Sequence, residues 1–555
     1  MSEHEGTQAE PLAVKGHEND VRAPLELALI ALLLGFAVEI LFDGHPLGIN
    51  FPIWAALCAA GLLAAAVFEG VKPSRTEGLL TIPIVFFSVM AAIRQEGLSV
   101  FLAVVFTLLC LGLWVRTFLP GRFLRFGWLD LAITWVMVPL EAMVRPWRTA
   151  ATAWRRVVGE QGSRKRGWAL LRGLLLALPV IAIFTALLAA ADLIFGDLVE
   201  EALRWLNIEK LLEWIGRGLV ITLSGLFSLG ALVTALRERE AKPLQGEEMP
   251  HLRPFLGFTE TTIVLGAVDL LFLFFVIVQF RYFFGGQANI SAAGYTYSEY
   301  ARRGFGELVT VAMLSLGLIM ALGYFGRREE PGQERGFNGL STALVVLLGV
   351  MLLSALLRLQ LYESAYGFSR LRTYTHVFIY WLALALVVFL VLLYRRQLRR
   401  FAPAAFLGSM GFAATLNLMN VDGFIAQHNI QRFLRGEVFE AAEGRTIPEV
   451  DIGYLVGLTS DVMPSLVRFA DEAPPQVRDQ LFGELACRAE FGYRPRSRDS
   501  WQSYHVSLAR SEAIMDDLEP ALALYQVEYD PDEARYLVTG PEGTSECRGY
   551  YGYGW

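Results

Sequence analysis

Residues 258–284, FTETTIVLGAVDLLFLFFVIVQFRYFF, decide the fold of this chain. Between Glu260 and Arg281 the only charged residue is Asp269. A helix needs about 20 predominantly apolar residues to cross the roughly 30 Å hydrocarbon layer of a membrane, and this run is long enough. A polar loop follows, and then the charged segment 297–307, YSEYARRGFGE. The sequence therefore predicts a membrane-spanning helix that ends in a polar, charged connection.

The composition of the whole chain indicates the same class of protein. Its 555 residues are 54% hydrophobic and 19% charged, against about 25% charged in a typical soluble chain. Apolar runs occur at Leu25–Phe42, Ile49–Phe68, Leu79–Ile93, Leu98–Val115, Trp168–Phe195, Ile215–Leu236, Phe258–Phe284, Leu308–Phe325, Leu340–Tyr362, Tyr374–Tyr394 and Pro403–Met419. We therefore predict an all-α polytopic membrane protein with about eleven transmembrane helices.

Basic residues in the connections predict which side of the membrane each loop occupies, because cytoplasmic loops carry an excess of Lys and Arg. The connections within 72–75, 116–172, 237–253, 327–335 and 395–400 are richer in Lys and Arg than the alternate ones. We expect the richer set to be cytoplasmic. Residues 1–24 are then a disordered cytoplasmic tail, residues 25–419 a transmembrane domain and residues 420–555 an extracytoplasmic domain. The predicted location is the bacterial inner membrane, with the N-terminus in the cytoplasm.

One apolar segment, Trp128–Val144, does not fit an alternating scheme. Basic clusters flank it on both sides, and Asp130 and Glu141 interrupt it. We interpret residues 128–158 as amphipathic helices on the cytoplasmic face, with their tryptophans at headgroup depth. The alternative is a true span with poor flanks.

The chain becomes more polar after Asn420. Apolar residues at helical spacing predict helices at Ile425–Leu434, Ile452–Phe469, Val477–Phe491 and Trp501–Gln526. Two β-prone runs around residues 530–533 predict a terminal β-hairpin, followed by an aromatic tail at 549–555. Outside the cytoplasm, Cys487 and Cys547 are candidates for a disulfide bond; the alternative is two unpaired thiols.

Several motifs of this chain resemble a bacterial family of polytopic membrane proteins known only as a domain of unknown function (4153/4173). The resemblance covers about Trp168–Phe491 and is most specific at residues 297–308, YSEYARRGFGEL. Further matching segments are 354–362 (SALLRLQLY), 365–372 (AYGFSRLR), 420–432 (NVDGFIAQHNIQR) and 451–466 (DIGYLVGLTSDVMPSL). The segment 498–505 departs from the expected tryptophan-rich pattern. The resemblance implies a multispan envelope protein and supplies neither a reaction nor a substrate.

Charged residues concentrate at the predicted outer ends of neighbouring spans. Asp269 is different, because it lies near the middle of its span and is expected to face the bundle interior. It is either a proton or cation relay, a substrate contact, or a hydrogen-bonded packing residue. The candidate ligand-binding residues are Asp269, Arg281, Glu299, Arg302, Arg303, Glu307, Arg358, Glu363, Arg370, Arg372 and His376. Arginine matches the oxygens of phosphate and carboxylate groups, so the cluster is suited to an anionic headgroup. The alternative is an ion-pair ladder that fastens the helices together.

A second set, Asn420, Asp422, Asn429 and Arg432, occupies the predicted domain junction. We expect Asp422 to cap a helix that begins near Gly423. Asn429 and Arg432 are placed to brace the domain against the membrane part.

Three functions remain open at the level of sequence. The first is a non-enzymatic envelope protein that binds an anionic lipid or solute, or a partner, for transport, flipping or sensing. The second is a membrane enzyme on a lipid-linked substrate, with Asp43, Glu299, Glu307 or His376 as acid or base. The third is a structural subunit of an envelope complex. No motif for a nucleotide, a metal or nucleic acid is found, so we expect no cofactor and no nucleic-acid partner. The expected partners are membrane lipids or an envelope protein.

Overall fold

The computed structural model describes residues 21–121, 123–158, 208–237, 254–283, 305–436, 450–491, 500–531 and 535–548, with parts of 173–198 and short strands at 439–440 and 446–447. Within these ranges the long helices are α1 (Pro24–Phe42), α2 (Asn50–Glu69), α3 (Thr81–Ile93), α4 (Gly97–Thr117), α5 (Trp128–Val144), α6 (Pro146–Val158), α7 (Ile208–Arg237), α8 (Phe258–Phe283), α9 (Phe305–Phe325), α10 (Pro331–Tyr366), α11 (Arg370–Tyr394) and α12 (Phe401–Met419).

Nine helices in the described part of the chain are long and apolar enough to cross a membrane: α1, α2, α4 and α7 to α12. The apolar segment Glu77–Ile93, which contains α3, is shorter. The predicted span Trp168–Phe195 lies largely outside the described residues. A multi-pass membrane protein is therefore supported, while the expected count of eleven spans is not. Helix α10, with 36 residues, is also longer than predicted; at 1.5 Å per residue it is longer than the hydrocarbon layer is thick.

Apolar side chains pack the membrane helices into two adjoining cores. One joins α1 to α5 with α7, and the other joins α8 to α11. Helix α12 connects them, because Phe406 and Ala413 belong to the first core and Phe401 to the second. Ala413 lies one turn from Leu416, which packs into the core of the C-terminal domain. One helix thus ties both halves of the bundle to the domain that follows it.

Helix α5 begins and ends at one face of the bundle. The ring of Trp128, at its start, lies 6.2 Å from that of Phe401, the first residue of α12. Glu141, near its end, pairs with Arg116 in the last turn of α4 at 3.4 Å. Since α4 starts and α12 ends beside the C-terminal domain, these contacts are at the opposite face. This geometry agrees with a surface helix; that the face is cytoplasmic stays a prediction.

The C-terminal part is a helical domain with a small sheet. Its helices are α13 (Val421–Leu434), α14 (Ile452–Val456), α15 (Met463–Glu472), α16 (Pro475–Phe491) and α17 (Val506–Leu522). Strands β1 (Phe439–Glu440) and β2 (Thr446–Ile447) form a short ladder. Strands β3 (Gln526–Asp530), β4 (Arg535–Gly540) and β5 (Gly543–Glu546) form an antiparallel sheet in the order β3-β4-β5.

Two predictions for this domain need correction. The helix expected over Ile452–Phe469 is broken into α14 and α15, because residues 457–462 form a turn and a 3-10 segment between them. The terminal hairpin gains a third strand, with Gly540 paired to Gly543 across a tight turn. The predicted aromatic tail at 549–555 lies outside the described residues. Val377 of α11 and Leu416 of α12 belong to the domain's apolar core, so the packing unit extends below residue 420.

Candidate functional site

The carboxylate of Asp422 is the centre of a buried polar junction between the membrane helices and the C-terminal domain. Asp422 is the second residue of α13 and is 0% exposed. Arg370, the first residue of α11, donates to it from Nε at 2.8 Å and from a terminal nitrogen at 2.7 Å. Thr459 donates from its backbone N–H at 3.0 Å and from its hydroxyl at 2.8 Å. A buried charge needs this degree of pairing, and three chain segments meet at one side chain.

A second buried acid, Asp461, joins the domain to the α3–α4 connection. It accepts the backbone N–H of Gln95 at 3.0 Å and the hydroxyl of Ser507 at 2.9 Å, and it pairs with Arg94 at 3.6 Å. The Gln95 side chain in turn accepts the backbone N–H of Ser460 at 3.1 Å. These bonds connect segments more than 360 residues apart in the sequence.

Glu96 completes the membrane side of the junction. Its carboxylate caps α4 by accepting the backbone N–H groups of Leu98 and Ser99, both at 2.8 Å. The hydroxyl of Tyr374 also donates to it. Tyr374 lies four residues after Arg370, so both side chains are on one face of α11. That face therefore contacts the Glu96 cap and the Asp422 carboxylate together.

The domain also contacts the α1–α2 connection. The backbone N–H of Ile49 donates to the carbonyl of Tyr504 at 2.9 Å, and His45 is 3.1 Å from the Ser500 hydroxyl. Gly48 packs against this segment so closely that a Cβ would lie 2.7 Å from the Tyr504 carbonyl oxygen. His505 donates from Nε2 to the carbonyl of Arg94 at 3.1 Å, and burial lowers its pKa.

The residues predicted for the domain junction are engaged there, with one correction. Helix α13 starts at Val421, two residues before the predicted position, and Asn420 rather than Asp422 caps it by accepting the N–H of Gly423. Asn429 exchanges two hydrogen bonds with the backbone of Phe368, at 2.8 and 3.0 Å. Arg432 donates to the carbonyls of Glu363 and Ser364. Asn429 thus binds the connection between α10 and α11, and Arg432 binds the last turn of α10.

The predicted ligand cluster is divided among several internal partners. Glu363 is buried, with both carboxylate oxygens 3.1 Å from Nδ1 of His376, whose Nε2 lies 3.3 Å from the Tyr380 hydroxyl. Arg372 lies over the ring of Tyr362 at 4.0 Å. Arg372 also donates to the carbonyls of Tyr366 and Gly367. Arg358 contacts Ser354 at 3.1 Å, and Arg370 pairs with Asp422.

Asp269 stands apart from this cluster. It is 9% exposed, and neither carboxylate oxygen has a hydrogen-bond partner among the residues that the structure describes. Glu307 is exposed at the start of α9. The described part of the structure does not include the Arg281 side chain or the residues Glu299, Arg302 and Arg303. How these four relate to Arg370 or Glu363 stays a prediction.

Cys487 and Cys547 form a disulfide bond, with their Cα atoms 5.8 Å apart. Both are buried, at 1% and 0% exposure. The bond ties the segment after β5 to α16. In the described part of the chain no group of three or more His, Cys, Asp or Glu side chains could hold a metal ion.

Sequence reasoning missed much of the junction. Gln95, Glu96, Thr459 and Ser507 were not candidates, and Asp461 entered only as part of a family motif. The polar triplet 94–96, which lies between two apolar helices, could have indicated the junction. Charged residues in such a short connection often pair with a residue that is distant in sequence.

The model of the family described as Domain of unknown function (DUF4153) matches residues 81–469, more than half of the chain. The chain belongs to this family. The expected resemblance is thereby confirmed, although the match starts and ends earlier than the predicted Trp168–Phe491. It runs from α3 into α15 and so includes Glu96, Arg370, Asp422 and Asp461, but not Ser507. No curated protein and no solved structure matches the chain.

Proposed function

We propose that this DUF4153 protein is a non-enzymatic membrane protein of the bacterial envelope, with a recognition surface for an anionic ligand where its C-terminal domain meets the membrane helices. The observation that carries the proposal is the junction built around Asp422. A fully buried carboxylate on α13, held by Arg370 at the start of α11 and by Thr459 within the domain, fixes the domain against α11. Domain and membrane helices therefore present one fixed surface rather than two units on a flexible linker.

The side of the membrane follows from the distribution of charge. The domain contacts the connections α1–α2, α3–α4 and α10–α11, which carry fewer Lys and Arg than the connections at the opposite face. By the positive-inside rule, the domain is extracytoplasmic. A disulfide between Cys487 and Cys547 agrees with an oxidising compartment. Trp501 and Tyr504 are exposed beside the α1–α2 connection, as is typical of side chains at headgroup depth.

Binding is favoured over catalysis by the separate partners of the candidate acids and bases. Asp43 lies 3.5 Å from Arg217, and His376 lies between Glu363 and Tyr380. Among the described residues nothing brings Asp43 and His376 to one reacting group. Transport or sensing would add a role for Asp269, a buried acid near the middle of α8. An envelope protein docked on the outer domain is the alternative ligand.

Cysteine labelling in intact cells tests the location. We would introduce Asp517→Cys, exposed on α17, and as a matched variant Lys72→Cys, exposed in the α2–α3 connection. A membrane-impermeant maleimide should label the first in intact cells and the second only after lysis. The reverse pattern would place the domain in the cytoplasm and overturn the proposed location. Mass spectrometry of co-purified lipids and proteins then separates a lipid ligand from a protein partner.

A further inference from the structure

A polar cavity of about 320 Å³ lies at the junction, on the side of Asp461. Ile93 and Met419, the last residues of α3 and α12, form its membrane side. The cavity thus lies at the depth where membrane helices end.

Three helices begin at this cavity. Gly423 is in the first turn of α13, Ser465 in the first turn of α15 and Ser507 in the first turn of α17. The first turn of a helix has N–H groups without intrahelical partners and carries a partial positive charge, so its N-terminus attracts anions. Of the three, α17 is the most open, since no side chain of the described residues caps it. The Gly423 N–H of α13 is bonded to Asn420, and α15 continues from the 3-10 segment 460–462, with the Met463 N–H bonded to the Ser460 carbonyl.

Three arginines from three different segments line the same cavity: Arg94, Arg468 and Arg510. Among the described residues that line the cavity Asp461 is the only acid, so their formal net charge is +2. Asp461 is itself paired with Arg94 at 3.6 Å and accepts three further hydrogen bonds. The positive charge of the other two arginines is therefore left for a ligand.

Arg468 and Arg510 are available to bind it. Both are exposed. Arg468 donates from Nε to the carbonyl of Pro464 at 3.0 Å, which leaves its two terminal nitrogens. Arg510 has no hydrogen-bond or ion-pair partner among the residues that the structure describes. Guanidinium groups bind phosphate oxygens through paired hydrogen bonds, and the hydroxyl of Ser465 adds a neutral donor.

We propose that this cavity binds a phosphate group carried by a lipid headgroup or by a small soluble molecule. This inference rests on the proposed function and locates its ligand site. The volume lies at the lower end of the range for small-molecule sites and exceeds what a bare phosphate ion fills. The phosphate lies among the first turns of α13, α15 and α17, with Arg468 and Arg510 on its outer side. The rest of the ligand extends toward Ile93 and Met419 or toward solvent.

The test uses the full chain in phosphatidylcholine nanodiscs, with two probes. Phosphatidic acid is added to the nanodiscs in one arm, and glycerol 3-phosphate to the buffer in the other, with glycerol as the control that lacks phosphate. The readout is the rise in the thermal unfolding midpoint as probe concentration increases, which reports binding to the folded state. The arm that responds identifies the source of the phosphate.

The double variant Arg468→Gln/Arg510→Gln removes both free guanidinium groups. Its matched control is Arg435→Gln, an exposed arginine of the same domain outside the cavity. We expect the double variant to need about tenfold more probe, or a greater excess, for the same stabilisation, while the control responds as the wild type does. The inference is overturned if neither probe stabilises the wild type, or if the double variant responds as the wild type or as the control does. The labelling experiment measures the location of the domain and the stabilisation experiment measures phosphate binding. Failure of one proposal can therefore be distinguished from failure of the other.

Discussion

Arg370 and Asp422 face each other through two parallel hydrogen bonds, 2.8 Å from Nε to Oδ1 and 2.7 Å from a terminal nitrogen to Oδ2. One residue begins a membrane helix and the other lies in the first turn of the first helix of the C-terminal domain. The Asp422 side chain is fully buried, and that of Arg370 is 24% exposed. In such a place a lone charge is costly, so each residue depends on the other. The pair therefore fixes the relative position of domain and bundle.

Replacing Asp422 with Asn should destabilise the protein. The guanidinium of Arg370 would lose its counter-charge while remaining partly buried, a change that costs about 3 to 5 kcal/mol for a fully buried pair and less here because Arg370 reaches solvent. The matched control is Asp530→Asn, whose partner Arg535 is 3.9 Å away and 36% exposed on the sheet; a surface pair contributes at most about 1 kcal/mol. Thermal unfolding in detergent measures both. Equal losses in the two variants would contradict a special role for the Asp422 pair.

Replacing Gly411 with Ala should separate α11 from α12. A Cβ at Gly411 would lie 2.0 Å from the indole ring of Trp381, whose Nε1 donates to Thr415 at 3.1 Å. The large indole would have to move, and overpacking of this kind costs about 1 to 3 kcal/mol. Gly408→Ala, on the same helix and with no atom of the described residues within 4 Å of the added carbon, is the control. Alanine there should be neutral or stabilising by up to about 1 kcal/mol. The opposite order of unfolding midpoints would contradict this packing.

The spans could be predicted from sequence because hydropathy acts locally. A long apolar run such as residues 374–394 is sufficient to predict a membrane helix. Helix α11 contains this run and begins four residues before it. The break after Val456 was missed because helical apolar spacing continues through residues 457–462. That break carries Thr459 and Asp461 into the junction, so the missed feature of the fold is also a feature of the site.

Pairing within the site could not be predicted, because it depends on distances in space. Arg370 has several charged neighbours in sequence, yet its partner is Asp422, 52 residues away. Gln95 and Asp461 are 366 residues apart. Cys487 and Cys547 were easier, since only these two of the four cysteines lie in the polar region. Two cysteines in the polar region can form only one pair, whereas many arginines and acids allow many possible pairs.

Removal of the disulfide by Cys487→Ser/Cys547→Ser should lower stability. The bond closes a loop across 60 residues, and loss of a native disulfide costs about 2 to 5 kcal/mol. A reductant present during heating should lower the unfolding midpoint of the wild type and leave that of the double variant unchanged. As a control, alkylation of the denatured, unreduced chain should label two of its four cysteines, Cys58 and Cys110. Labelling of all four without reductant would show that the bond is absent.

His505→Gln should reduce the sensitivity of the protein to acid. Burial lowers the pKa of His505 below its usual value of 6.5, an effect that the carbonyls of Arg94 and Ala91 and the charge of Asp461 only partly offset. The unfolded chain therefore binds a proton at this residue at a higher pH than the folded chain does. Stability is fully present above the unfolded pKa and falls as the pH drops below it, by at most about 1.4 kcal/mol per pH unit for one proton.

The measurement compares unfolding midpoints of wild type and His505→Gln between pH 7.5 and pH 5.5, a window chosen around the histidine pKa of about 6.5. The glutamine amide can still donate to the Arg94 carbonyl, so the two proteins should differ little at the higher pH. At the lower pH the wild type should lose more stability than the variant, because only its residue 505 takes up a proton on unfolding. Parallel pH profiles would mean that His505 binds a proton equally well in both states, and that its burial at the junction has no effect on acid stability.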